Sequence, residues 1–236
     1  MPDTSLLSPY VVKLDGGLIL NRDSFSMPPG AALELINFEP DISGGYRRIN
    51  GFSKYNSNIV PQTSASTEKV LGVAIYKGNI IAARGEKVFK GGTTGSWTAI
   101  QTGRTNAERY SFVVYNFDNT EKIIYVDGVN NAAIFNNSSV TAVSTTNAPA
   151  DPSTVALHKN HMFFAGMSSN PQEVVFSAPF SETDFSAANG AGSIKVDSAV
   201  VQLVTFRNSL YIFCEDQIHQ LTGTSIADFQ LQPVTR

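Results

Sequence analysis

The chain has 236 residues, 42% of them apolar, which is enough for a sizeable core and excludes wholesale disorder. Charged residues are scarce at 16%, and 17 basic against 20 acidic side chains give a net charge of −3 with no run of like sign, which excludes tight retention of nucleic acid by counterion release. One cysteine, Cys214, excludes an internal disulfide framework and a cysteine-based zinc site, and no apolar stretch approaches the ~18 residues of a membrane span.

The start, Met1-Pro2-Asp3-Thr4, lacks the basic residues and long apolar core of a signal peptide. An extended segment around Gly16-Gly17-Leu18-Ile19-Leu20-Asn21 comes first. Pro28-Pro29-Gly30 then predicts the one short helix of the chain, over Ala31-Ala32-Leu33-Glu34-Leu35-Ile36, with Pro29 in its first turn and Pro40 forbidding continuation. Gly44-Gly45 is a turn or bulge signal before a strand carrying Tyr46-Arg47-Arg48. Strand alternation sends Arg47 and Arg48 to opposite faces.

From Val70 onward the pattern repeats. Apolar runs of four to six residues, rich in β-branched and aromatic types, lie between Gly, Asn, Asp and Ser clusters. Ile80-Ile81, Ile123-Ile124-Tyr125, Met162-Phe163-Phe164 and Leu210-Tyr211-Ile212 each follow a turn, at Gly78, Asn119, Asn160 and Asn208. The spacings of about 41, 41 and 48 residues fall within the ~40–50-residue period of propeller blades. A third strand follows in each unit (Lys87–Phe89, Ala133–Phe135, Val174–Phe176, Gln217–His219). A more polar fourth comes after it (96–100, 139–143, 192–196, 229–231). The fold expected is all-β, a β-propeller with about four four-stranded blades over 70–105, 106–148, 149–198 and 199–236, behind an N-terminal arm, helix and entering strand over 1–69. A β-sandwich with accidental spacing is the alternative. Four blades are at the lower limit of closure, so the expectation includes a larger propeller completed by further sequence or by other segments.

The order Gly17, Pro29-Gly30, Asn37, Gly45-Tyr46-Arg47-Arg48 and Gly51 resembles the start of the tail nozzle proteins (tail tubular protein B and related stabilisation proteins) of short-tailed bacteriophages. The resemblance covers residues 16–55 in detail, with Ile49 where members often carry Pro, and the propeller repeats extend it in kind. It implies a virion structural protein made in the bacterial cytoplasm. Such a protein is a homo-oligomer, usually a hexameric ring, below the adaptor and portal-side proteins, with tail fibres or spikes as further neighbours. DNA would meet it only in transit through the lumen, which a modest negative charge suits. The arm would be the docking element, with Leu33, Leu35 and Ile36 as apolar contacts and Arg47 or Arg48 as a rim ion pair of about 0–1 kcal/mol.

No catalytic, cofactor or metal constellation is read from the sequence. His158-Lys159-Asn160-His161 lies on a predicted turn without a third ligand nearby. Gly91-Gly92-Thr93-Thr94-Gly95-Ser96 lacks the lysine and helix of a phosphate loop, and Gly223-Thr224-Ser225-Ile226-Ala227 lacks the second glycine of a nucleophile elbow. Asp216, Asp228, Glu182 and Asp184 are scattered over turns without visible pairing. A propeller-type receptor-binding or glycan-binding adhesin is the alternative function, but it would need clustered aromatics, and Trp97 is the sole tryptophan.

Overall fold

A computed structural model describes residues 13–62 and 68–235, so the chain start and Arg236 lie outside the described residues. The chain divides between Lys54 and Tyr55 into two units. The described residues are all-β, with eighteen strands and only two three-residue 3-10 turns.

In the first unit, β1 (Phe38–Pro40) and β2 (Tyr46–Arg48) form an antiparallel pair with Glu39 opposite Arg47. The turn between them is closed by the Asp41 and Gly44 amides, which donate to Gly45 O and Asp41 O, with φ of +92° at Gly44 and +80° at Gly45. Ahead of this hairpin, Leu18 and Ala32 form a parallel bridge. The helix expected over 31–36 does not form. Gly30 sits at φ +83°, and the Ala31 amide donates to Pro28 O at 3.2 Å, so Pro29-Gly30 are the centre of a β-turn rather than the first turn of a helix. The Ala32 amide is then committed to Gly17 O and the Ala32 carbonyl to the Ile19 amide. A 3-10 turn appears instead at Ser24–Ser26, where the Asp23 carboxylate accepts from the Phe25 amide.

The second unit holds four four-stranded antiparallel sheets, each a meander of consecutive strands. The first comprises β3 (Val70–Tyr76), β4 (Asn79–Arg84), β5 (Lys87–Gly91) and β6 (Thr98–Gln101). The second comprises β7 (Ser111–Asn116), β8 (Glu121–Val126), β9 (Ala133–Phe135) and β10 (Val140–Ala142). In the third are β11 (Thr154–His158), β12 (His161–Ala165), β13 (Glu173–Phe176) and β14 (Gly192–Lys195). The fourth holds β15 (Val200–Phe206), β16 (Ser209–Cys214), β17 (Ile218–Thr222) and β18 (Gln230–Thr235). The four most apolar runs fall in four different sheets, each as the second strand. Turn chemistry explains the register. Lys77-Gly78 and Lys159-Asn160 both have positive φ at each residue, the two-residue hairpin whose twist suits its flanking strands.

Alternation along each second strand builds the core. Ile81, Ala83 and Val88 of the first sheet cluster with Ile123, Tyr125 and Phe135 of the second. Ile124, Val126 and Ile134, on the second sheet's other face, cluster with Val155, Met162 and Phe164 of the third. Phe163, Ala165 and Val174 then cluster with Leu203, Leu210 and Ile212 of the fourth. Each fully buried Val, Leu, Ile, Phe or Met side chain among them contributes roughly 1.5–3 kcal/mol by leaving water.

The face of the first sheet that points away from the second is covered in part by residues 55–62, while Val73 and Ile75 on it stay exposed. Tyr55 Oη donates to Gly78 O, Asn56 Nδ2 to Gly92 O, and Trp97 Nε1 to Asn58 O at 2.9 Å, while the Arg84 guanidinium donates to Val60 O. Gly91 has no room for a Cβ, which would meet the Trp97 ring at 2.4 Å. Ala82 and Phe89 on that face are consequently buried.

Candidate assembly surface

The five residues expected to form a docking surface all lie in the first unit. Among residues 13–54 none is fully buried. Leu33 and Ile36 are exposed and Leu35 is half-buried. With no helix beneath them, they occupy an irregular segment rather than one helical stripe. Arg47 Nε donates to Glu39 Oε1 at 2.7 Å across the hairpin, whereas Arg48 stands exposed opposite Phe38. The structure thus brings Arg47 together with Glu39, a partner that strand alternation alone did not identify. Both side chains face solvent, so Arg47→Ala is expected to change the unfolding free energy by less than about 1 kcal/mol, as read by denaturant titration.

The strongest apolar exposure falls on residues that the sequence reading passed over. Phe25, Ile42 and Phe52 are 97%, 104% and 97% exposed. A signal was present, because Phe25 sits between serines and Ile42 sits inside the Asp41–Gly45 turn, where no strand or helix could carry either inward. The turn itself is well made. The Ser43 amide donates to Asp41 Oδ1 and holds that carboxyl below its ordinary range. A segment of this size cannot build its own core, and its large apolar groups stay in contact with water.

The side chains with catalytic or metal-binding chemistry in the sequence are otherwise engaged. His158 and His161 are not on the turn. They are the paired strand residues flanking it, both buried. His161 Nδ1 lies 2.6 Å from Ser177 O, and its ring packs edge-on to Phe176 and Phe229. Burial pushes the His158 imidazole down to about 4, helped by the Lys159 and His161 charges. No group of three metal-ligating side chains occurs among the described residues. Asp228 accepts from the Thr224 and Ser225 amides, which lower its carboxyl to about 2 and tie it into the β17–β18 turn. Trp97 is spent on the inner contact to Gly91 and Asn58 rather than offered as a sugar-stacking platform.

One buried charge pair has no precedent in the sequence reading. Arg104, between β6 and β7, reaches Asp127, just after β8, with Nη2 at 2.6 Å and Nε at 3.0 Å from Oδ2. Asp127 Oδ1 accepts from the Val129 and Asn130 amides, and Arg104 Nε also donates to Tyr110 Oη. Burial pushes the Tyr110 hydroxyl up to about 12 despite the adjacent guanidinium. The arrangement is a clamp between the first and second sheets, with every charged atom partnered and no opening for a substrate.

No protein-family model matches the chain, and no curated protein matches it. Solved structures match in shape. The extracellular domain of the putative one-component system BT4673 from B. thetaiotaomicron aligns with a TM-score of 0.52 at 12% identity, over 73% of this chain and 22% of that one. The chain therefore spans about a fifth of that structure's length. Saccharomyces cerevisiae Sqt1 aligns with a TM-score of 0.49 at 10% identity, over 83% of this chain and 54% of that one. At these identities the likeness is one of fold alone.

Proposed function

We propose that the four sheets are blades of a β-propeller, and that the chain is a virion structural protein, a tail nozzle or head-to-tail connector subunit that assembles as a ring. The observation that carries this reading is the pairing of two unlike units. Four meander sheets stack in series and bury their apolar faces in one another. A separate segment, 13–54, buries nothing fully and presents Phe25, Ile42 and Phe52 to solvent. A segment of that kind gains its burial by packing on something else, here an adjacent subunit or the adaptor of the tail. The order of residues 16–55, with its resemblance to nozzle proteins, supports the same reading. The net charge of −3 suits a lumen that passes DNA without holding it.

The test is removal of residues 1–54 together with electron microscopy of the intact chain. The intact chain is expected to form rings, or to enter tails when supplied to particles lacking it. The shortened chain is expected to remain a folded, β-rich monomer by circular dichroism and light scattering. Rings formed equally well without residues 1–54 would refute the docking role. Loss of β signal would place the segment in the folding core.

A further inference from the structure

The chain has three histidines, and all three face the junction between the third and fourth sheets. Ala156 and Phe163 face the fourth sheet, and His158 and His161 lie two residues from them on the same side of β11 and β12. Leu221 faces back to the third sheet, and His219 shares its side of β17, opposite Ile212. The three residues are 2%, 1% and 5% exposed. His158 Nε2 and both ring nitrogens of His219 are buried without a hydrogen-bond partner, whereas His161 Nδ1 donates to Ser177 O. The other two junctions hold no imidazole, and each is pinned by an ion pair. Arg104 meets Asp127 between the first and second sheets, and Lys122 Nζ meets Glu182 Oε1 at 2.9 Å between the second and third. Among the described residues no ion pair joins the third sheet to the fourth. That junction is bridged by the Leu203 amide on Thr154 Oγ1, Thr205 Oγ1 on Leu157 O and Lys159 Nζ on Asn208 Oδ1.

We propose that this junction is an acid-labile seam, which opens as the pH falls from about 7 to about 5 while the two junctions before it stay closed. The physical reason is a proton taken up on opening. In the closed seam an imidazolium at His219 would bring two N–H donors, and one at His158 an Nε2–H, to places without an acceptor. The side chains clustered there are apolar. In the open seam water surrounds each ring, which takes a proton at its ordinary value of about 6.5. The open form then binds more protons than the closed form, so acid favours opening. Burial, which pushes the closed His158 imidazole down to about 4, acts in the same direction. Neighbouring charge does not offset it. By register the titratable groups on the two facing surfaces are His158 and His161 on the third sheet and His219 and Cys214 on the fourth, with no carboxylate among them. Lys159 and Arg207 stand on the hairpin turns at one end and carry the sign that repels an imidazolium. Asp197 and Asp216, beside Cys214, lie in connections between strands, as does Asp228, whose carboxylate is taken by the Thr224 and Ser225 amides. The unpartnered hydroxyl of the second junction, Tyr115 Oη, is pushed up by burial and titrates only in base.

The seam uses none of residues 13–54, so it stands or falls separately from the ring. Hydrogen exchange of the 236-residue chain at about pH 7 and pH 5, read by mass spectrometry and divided by the intrinsic rate at each pH, tests it. A sheet whose apolar face loses its cover also loosens its ladder, so opening appears as faster exchange. Peptides covering β16 and β17 are expected to lose protection at least about tenfold between the two conditions, the proton uptake of one buried histidine being enough. Peptides covering β4 and β8 are expected to keep theirs. Cys214, the one thiol, packs against the same cluster. Its labelling rate, divided by that of a free thiol at each pH, is expected to rise over the same interval. His158→Phe combined with His219→Leu is expected to remove the acid step. Equal protection of β16 and β17 at both pH values would overturn the proposal, as would a loss shared equally by all four sheets. An acid step that survives in the folded double variant would also overturn it. The comparison between sheets in the unaltered chain decides the matter even where that variant does not fold.

Discussion

Asp127→Ala is expected to lower the unfolding free energy by about 3–5 kcal/mol, the usual cost of leaving one buried charge without its partner. The Arg104 and Asp127 side chains are 5% and 0% exposed, so water cannot take the place of the lost carboxylate. Arg104 would retain Tyr110 Oη, Gln101 Oε1 and Asn131 O, all neutral acceptors. The Val129, Asn130 and Asn130 side-chain donors would lose theirs. The damage is therefore a stranded cation together with three unmade hydrogen bonds. Urea titration by fluorescence or circular dichroism reads the loss directly. A paired replacement, Arg104→Met with Asp127→Leu, is expected to recover most of it, because the desolvation of both charges disappears together. A single-variant loss under about 1 kcal/mol would show that the site is hydrated and the clamp weak.

Stability is expected to fall by about 3 kcal/mol between pH 6.5 and pH 4 through His158 alone. The sign follows from the direction of its shift. Burial holds the folded imidazole near 4, below the ordinary 6.5, so the unfolded chain binds a proton across this window while the folded chain does not. Protons therefore favour unfolding, and stability rises with pH from 4 to 6.5 and is flat above. The structural cause is specific. His158 closes β11 against His161, its ring lies 6.0 Å from Phe163, and Nε2 is buried without a hydrogen-bond partner. An N–H at Nε2 would find no acceptor there. Asp41, Asp118, Asp184 and Asp228, held below 3.8 by hydrogen bonds, act in a lower window and do not mask the effect. His158→Phe is expected to flatten the slope between pH 4 and 6.5, measured as denaturation midpoints across pH. An unchanged slope would assign the acid sensitivity elsewhere.

The four sheets were legible in the sequence because their information is local. Side-chain alternation needs only neighbours two apart, and the turns at Gly78, Asn119 and Asn160 carry their left-handed backbone in the residue type itself. Ile80, Ile123, Met162 and Leu210 could thus be aligned as equivalent before any contact was known. The weaker fourth strands were found with shifted ends, since polar edge strands owe their limits to pairing rather than to pattern. The helix over 31–36 was misread for a related reason. Pro-Gly suits either a helix start or a β-turn, and the bridge from Leu18 to Ala32 decided between them. Tertiary structure alone decided what depends on distance along the chain. Arg104 and Asp127 are separated by 23 residues and look like ordinary surface charges until two sheets close over them. His158 and His161 read as residues of a predicted turn, whereas the structure buries both on paired strands. Residues 55–62 carried no strand signal, and their role as a cover on the first sheet comes from hydrogen bonds to residues about 20–40 positions away. Sequence periodicity says which residues share a face of a sheet. Only the packed molecule says which faces find a neighbour.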